Sequence, residues 1–130
     1  MKRQSGTLNS SSGALRRASR LAAVQALYQL TLSSPDENDD EVEDTIIEFL
    51  THRPGAELPE DAYAEFDEDL FSDLVRGTRR HHTQLVKILD DALPPRWNFS
   101  RLDRILAEIL GCAAYEMNHR PDVPVAVIIN

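Results

Sequence analysis

Apolar residues recur at steps of three and four along most of this chain and never alternate at the period of a strand, which restricts it to packed helices. From Phe66 to Leu93 the positions Phe66, Leu70, Phe71, Leu74, Val75, Leu85, Ile88, Leu89 and Leu93 follow the helical period. Gly77 interrupts that run as a bend or a close helix contact, and Pro94 and Pro95 stop it. A cleaner stripe follows, made of Leu102, Ile105, Leu106, Ile109, Leu110, Ala113 and Met117, and it reads as the buried face of the next helix. Ser100 with Asp103 resembles a capping box at its start. Pro121 closes it, and Pro124 with Val125 to Asn130 reads as the opening of a further helix that is cut short.

Toward the other end, Leu15 to Leu32 is rich in Ala, Leu, Gln and Arg without Gly or Pro, which is strong helix composition, with Ser11 or Ser12 as N-cap. Residues 1–13 carry only Met1 and Leu8 as apolar side chains and read as a flexible basic tail. Pro35 and the acidic run after it end the first helix; a second carries Val42, Ile46, Phe49 and Leu50, and His52 to Pro59 reads as a loop. The fold expected is an all-α helical bundle with short connections.

A chain of 130 residues with 42% hydrophobic content suits one domain that folds without disulfide or metal. Cys112 is the single cysteine, so no intrachain disulfide forms, and a reducing, cytoplasmic setting is expected. No apolar run approaches a membrane span, and the residues after Arg3 lack a signal core.

The formal net charge of −8 argues against nucleic acid until it is resolved along the chain. Residues 1–35 hold Lys2, Arg3, Arg16, Arg17 and Arg20 and no acid, whereas residues 36–73 hold sixteen acids against Arg53 alone. Such asymmetry reads as a basic arm on an acidic body. At about 100° per residue, Arg16, Arg17 and Arg20 share one sector roughly 100° wide. Cations in the first turns of a helix oppose its dipole, and no carboxylate lies within reach along that helix. Two readings stand: a phosphate clamp extended by the mobile Lys2 and Arg3, or a solvated basic face that helps solubility or pairs with the acidic second helix. Tyr28 is a candidate for stacking on a base, against the more usual core role.

Other chemistry finds little support. Asp36, Asn38 and Asp40 match the first positions of a calcium loop, but Glu41 and Ile47 stand where Gly and Glu are required. His81 and His82 point about 100° apart, and His52 and His119 lie in separate segments, which disfavours a metal site. Cys112, between Gly111 and Ala113, reads as a small buried hydrophobe. Trp97 offers either a stacking surface or, more usually, a plug between helices. No phosphate loop or nucleophile elbow occurs, so neither an enzyme nor a cofactor is expected.

Two stretches together resemble one family. RRASRLAAVQALYQL, Arg16 to Leu30, resembles the arginine-rich first helix of NusB, and Arg101 to Asn130 resembles its central helix, the Asp-Val-Pro turn and the start of the next helix. LFSDLVRG, Leu70 to Gly77, is similar to the family's intervening stretch. The resemblance implies two packed small helical bundles, here about 14–93 and an incomplete 96–130. It implies a transcription antitermination factor that binds boxA-type single-stranded RNA together with the small-subunit ribosomal protein NusE and the transcription elongation complex. By the same match Arg16, Arg17 and Arg20 fall on the arginine-rich RNA-binding motif and Tyr28 on the aromatic that closes it. Family members continue past Asn130 and commonly carry Arg where Gly111 stands here. An end at Asn130 leaves apolar surface uncovered, so self-association, with a homodimer as its simplest form, is expected. The alternative is a NusB-like N-terminal module of a ribosomal RNA cytosine methyltransferase.

Overall fold

The computed structural model describes residues 2–33, 38–51 and 66–120, with side chains from Gly13 onward. Five α-helices are present among them: α1 (Lys2–Ser33), α2 (Asp39–Thr51), α3 (Glu68–Arg80), α4 (His82–Ala92) and α5 (Arg104–His119), with a 3-10 turn at Phe99–Arg101 before α5. No strand occurs among the described residues, and the all-α expectation holds. His52 to Pro59 and the segment from Pro121 lie outside the described residues.

Helix α1 begins well before the expected cap. Residues 2–13, read as a tail, are the first turns of α1, so neither Ser11 nor Ser12 caps it. Once the apolar half from Leu15 has nucleated, each added residue costs little, and no proline interrupts the stretch. The α2 expectation is met closely: three acids occupy its first turn, where they favour the dipole, and Val42, Thr45, Ile46 and Phe49 are buried.

The run from Phe66 to Leu93 is two helices, not one bent at Gly77. The break falls at His81, whose backbone leaves the helical region at φ −101° and ψ 18°. Its Nδ1 lies 3.0 Å from the Gly77 carbonyl oxygen. Asp67 caps α3, accepting from the Leu70 N–H at 3.1 Å. The α5 cap is Asp103 rather than Ser100, with Phe99–Arg101 turned into the 3-10 segment. The larger correction on α5 is its orientation: Gly111, Cys112, Ala114, Tyr115 and Glu116 face inward, while Ile105, Leu106, Ile109 and Met117 of the expected buried stripe are exposed. Trp97, expected as a plug, is half exposed.

The core joins α1 through Ala23, Ala26, Leu27 and Leu30 to α3 through Leu70, Phe71, Leu74 and Val75. The α2 side chains close one flank and α5 the other. Helix α5 runs antiparallel to α1, because Arg20 meets Glu116 while Thr31 meets Glu108. It is antiparallel to α3 as well, since Asp73 meets Arg120 and Thr78 meets Gly111.

Candidate nucleic-acid interface

The five residues from Arg16 to Arg20 divide into four roles. Arg16 is half-buried and Arg17 exposed, and among the described residues no ion pair joins either to a carboxylate. Ala18 packs against the core. Ser19 is fully buried, and its hydroxyl oxygen accepts from the Asp67 N–H at 2.7 Å. That hydroxyl lies 2.8 Å from the Leu15 carbonyl and 2.9 Å from the Asp67 carbonyl, either of which can take its proton. Thus Ser19 fastens α1 to the start of α3.

Arg20 departs from the expected exposed cluster. Its Nε donates to Glu116 Oε1 at 2.9 Å and its terminal nitrogen to Oε2 at 2.7 Å, a fork-on-fork pair with α5. The Glu116 side chain is 1% exposed and that of Arg20 17%. The compensating acid absent from α1 is therefore supplied from 96 residues away. Pairing with the acidic second helix was the other expectation, yet there Glu43 takes Arg76 of α3, at 2.6 and 2.7 Å. The Arg76 hydrogen bond holds the Glu43 carboxyl below its ordinary value. Both members are roughly half exposed, so the pair contributes little to stability.

Tyr28 sits half-buried beside a shallow, mostly apolar groove with Gln25, Gln29, Leu32 and Phe49. It is neither a core residue nor a free platform. Lys2 and Arg3 lie on the same helix, N-terminal to the arginines.

At the other end of the Asp73–Arg120 pair, a ring cluster closes α3 onto α5. Tyr115 stacks on His119 with centroids 4.7 Å apart, and His81 lies 4.4 Å from His119. The Tyr115 hydroxyl donates to Asp73 Oδ1 at 2.7 Å, and Arg120 donates to Oδ2 at 2.9 Å. Burial, then the Asp73 hydrogen bond, pushes the Tyr115 phenol up to about 12. Among the described residues no group of three or more His, Cys, Asp or Glu is placed to hold a metal ion, and no helix is long and apolar enough to cross a membrane.

Cys112 is buried at 3% exposure, and desolvation pushes its thiol up to about 12. A thiol so placed is almost never a thiolate near neutral pH. Ellman's reagent should therefore react with Cys112 in the native chain about a thousandfold more slowly than in the denatured chain. A native rate near that of a free thiol would contradict this packing of α5.

Sequence reasoning missed Glu116 and Ser19 as parts of this surface. The only signal in the sequence was a carboxylate one turn after Cys112 on an otherwise apolar stretch, and its inward placement follows from the packing of α5 rather than from the apolar period.

The described residues thus form a small all-α helical module with Arg16 and Arg17 on its first helix. The NusB family model matches residues 17–130, and the chain belongs to the NusB family. Relatives named transcription antitermination protein NusB include that of Rhodopseudomonas palustris (strain BisB5), 37% identical over 87% of this chain and 62% of its own length. Those of Nitrobacter hamburgensis and Rhizobium rhizogenes are 39% and 40% identical, each over 88% of this chain and over 69% and 68% of their own lengths. The chain thus spans roughly two thirds of the relatives it matches. No solved structure matched.

Proposed function

We propose that this chain acts in transcription antitermination by binding boxA-type single-stranded RNA in partnership with the ribosomal protein NusE, within a transcription elongation complex. The observation that carries the reading is the exposed Arg17 with Arg16 beside it, midway along α1 and joined to no carboxylate among the described residues, in a member of the NusB family. Lys2 and Arg3 add two cations to the N-terminal part of the same helix, and Tyr28, half-buried beside its groove, lies about three turns beyond Arg17. The relatives' printed name supports antitermination over the methyltransferase module.

The net charge of −8, concentrated in the sixteen acids of residues 36–73, works against RNA, so affinity alone is weak and the protein partner adds to it. Titrating a labelled boxA-type RNA with the chain, with and without NusE, tests this; equal affinity in both arms would remove the cooperative part. Each arginine-to-phosphate contact on a single strand contributes about −0.7 to the slope of log K against log[salt]. Arg16→Gln with Arg17→Gln should flatten the slope by about 1.4 and weaken binding at least about tenfold. An unchanged slope would remove the phosphate-contact assignment.

A further inference from the structure

We infer that Arg20 is a positioning residue and not a phosphate contact: with Ser19 it grips α1 from two sides and fixes the rotation at which Arg16 and Arg17 meet the RNA. The inference rests on the RNA-binding reading and divides the arginine cluster into two contacts and one anchor.

The division follows from what Arg20 would give up. Both oxygens of Glu116 are taken by Arg20, and that carboxylate is almost wholly removed from water. It also lies in the last turn of α5, where the helix dipole opposes a negative charge. If Arg20 swung out to a phosphate, Glu116 would remain buried and unpaired, which costs more than a contact at a solvated surface returns. The guanidinium charge is in any case neutralised by its partner, so the motif presents two net charges to RNA, not three.

Ser19 completes the grip. It lies about 100° around α1 from Arg20 and is tied to Asp67 at the start of α3, while Arg20 is tied to α5. Two adjacent residues bound to two different helices leave α1 no freedom to roll. Arg16 and Arg17 stand one turn earlier on the helix so held.

The test combines thermal melting with anisotropy titration of a labelled boxA-type RNA against the full chain from 50 to 300 mM KCl. Arg16→Gln and Arg17→Gln should each flatten the salt slope by about 0.7. Arg20→Gln should lower the melting temperature by about 10 °C and weaken binding several-fold at every salt concentration, with the slope unchanged. The double variant Arg20→Met with Glu116→Leu replaces the pair by apolar side chains, so it should recover folding and affinity and keep the slope. Flattening by about 0.7 in either Arg20 variant overturns the anchor role while leaving the RNA reading standing. A melting loss in Arg20→Gln with affinity untouched shows a purely structural pair and overturns positioning. If the Arg16 and Arg17 variants also keep the parental slope, the RNA reading itself fails, and the inference with it.

Discussion

Gly77→Ala should cost this protein about 3 kcal/mol or more, although alanine is the better helix former by about 1 kcal/mol. The two effects have opposite signs, so the measurement separates them. Gly77 is buried in the last turn of α3, and a Cβ placed there would collide with Cζ, Cε1 and the hydroxyl oxygen of Tyr115. The ring has little room to retreat. It is stacked on His119, faces His81 at 5.7 Å, and its hydroxyl is hydrogen-bonded to Asp73. Moving it breaks a hydrogen bond to a carboxylate, worth about 1.5 to 3 kcal/mol, and loosens the packing of α5 on α3. Thermal melting should show a fall on the order of 10 °C. In a Tyr115→Ala background the same glycine change should cost at least about 2 kcal/mol less, because the obstacle has gone. A variant more stable than the parent would mean that helix propensity decides at this position and the collision does not exist.

The glycine also marks how far sequence alone could go. Its two readings were a bend and a close helix contact, and both are consistent with a residue lacking Cβ. Only the neighbour on α5 decides between them, and Tyr115 is 38 residues away in the chain. The bend that does occur, at His81, left no mark in the apolar period, because Leu74, Val75 and Leu85 keep a helical spacing across it. Helix α2 was legible for the converse reason: its acids and its apolar stripe are local, and Val42, Ile46 and Phe49 are buried as their spacing requires.

Helix α5 shows the limit most plainly. It carries two apolar faces, one of large side chains and one built on Gly111, Cys112 and Ala114. Periodicity gives the direction of each stripe but not which one turns inward. Small residues let two helices approach, and here they face α3, with Thr78 at contact distance from the position a Gly111 Cβ would take. The large side chains Ile105, Leu106, Ile109 and Met117 are left at the surface. The arginine cluster was legible as a cluster and not as a set of roles. Its helical sector is correct, but what Arg20 does is set by Glu116, whose partner could not be named until α1 and α5 were seen to lie antiparallel. On the proposed division of roles, changing Arg16, Arg17 and Arg20 together would mix a binding effect with a folding defect, and single changes would separate them.

Phe71→Ala should be the most damaging core substitution in the chain, at about 3 to 5 kcal/mol against a total of about 5 to 15. Phe71 is fully buried on α3 and is the ring that both other core phenylalanines reach. Phe49 of α2 stacks on it at 5.7 Å and 22°, and Phe66, just before α3, meets it edge-on at 5.1 Å and 60°. Truncation loses the burial of a whole ring, two aromatic contacts and the packing of the cavity wall. Rigid helices on both sides prevent that cavity from collapsing fully. In urea the midpoint should fall by about 2 M with the slope little changed. The loss should not be shared evenly: α2 meets α3 through Phe49, whereas α5 is held by ion pairs and by Tyr115, so amide exchange should accelerate more in α2 than in α5. Phe71→Leu, which keeps most of the volume, should cost less than half as much. If alanine and leucine cost the same, or if α5 exchanges as fast as α2 in the alanine variant, the three phenylalanine rings do not hold α2 to the bundle.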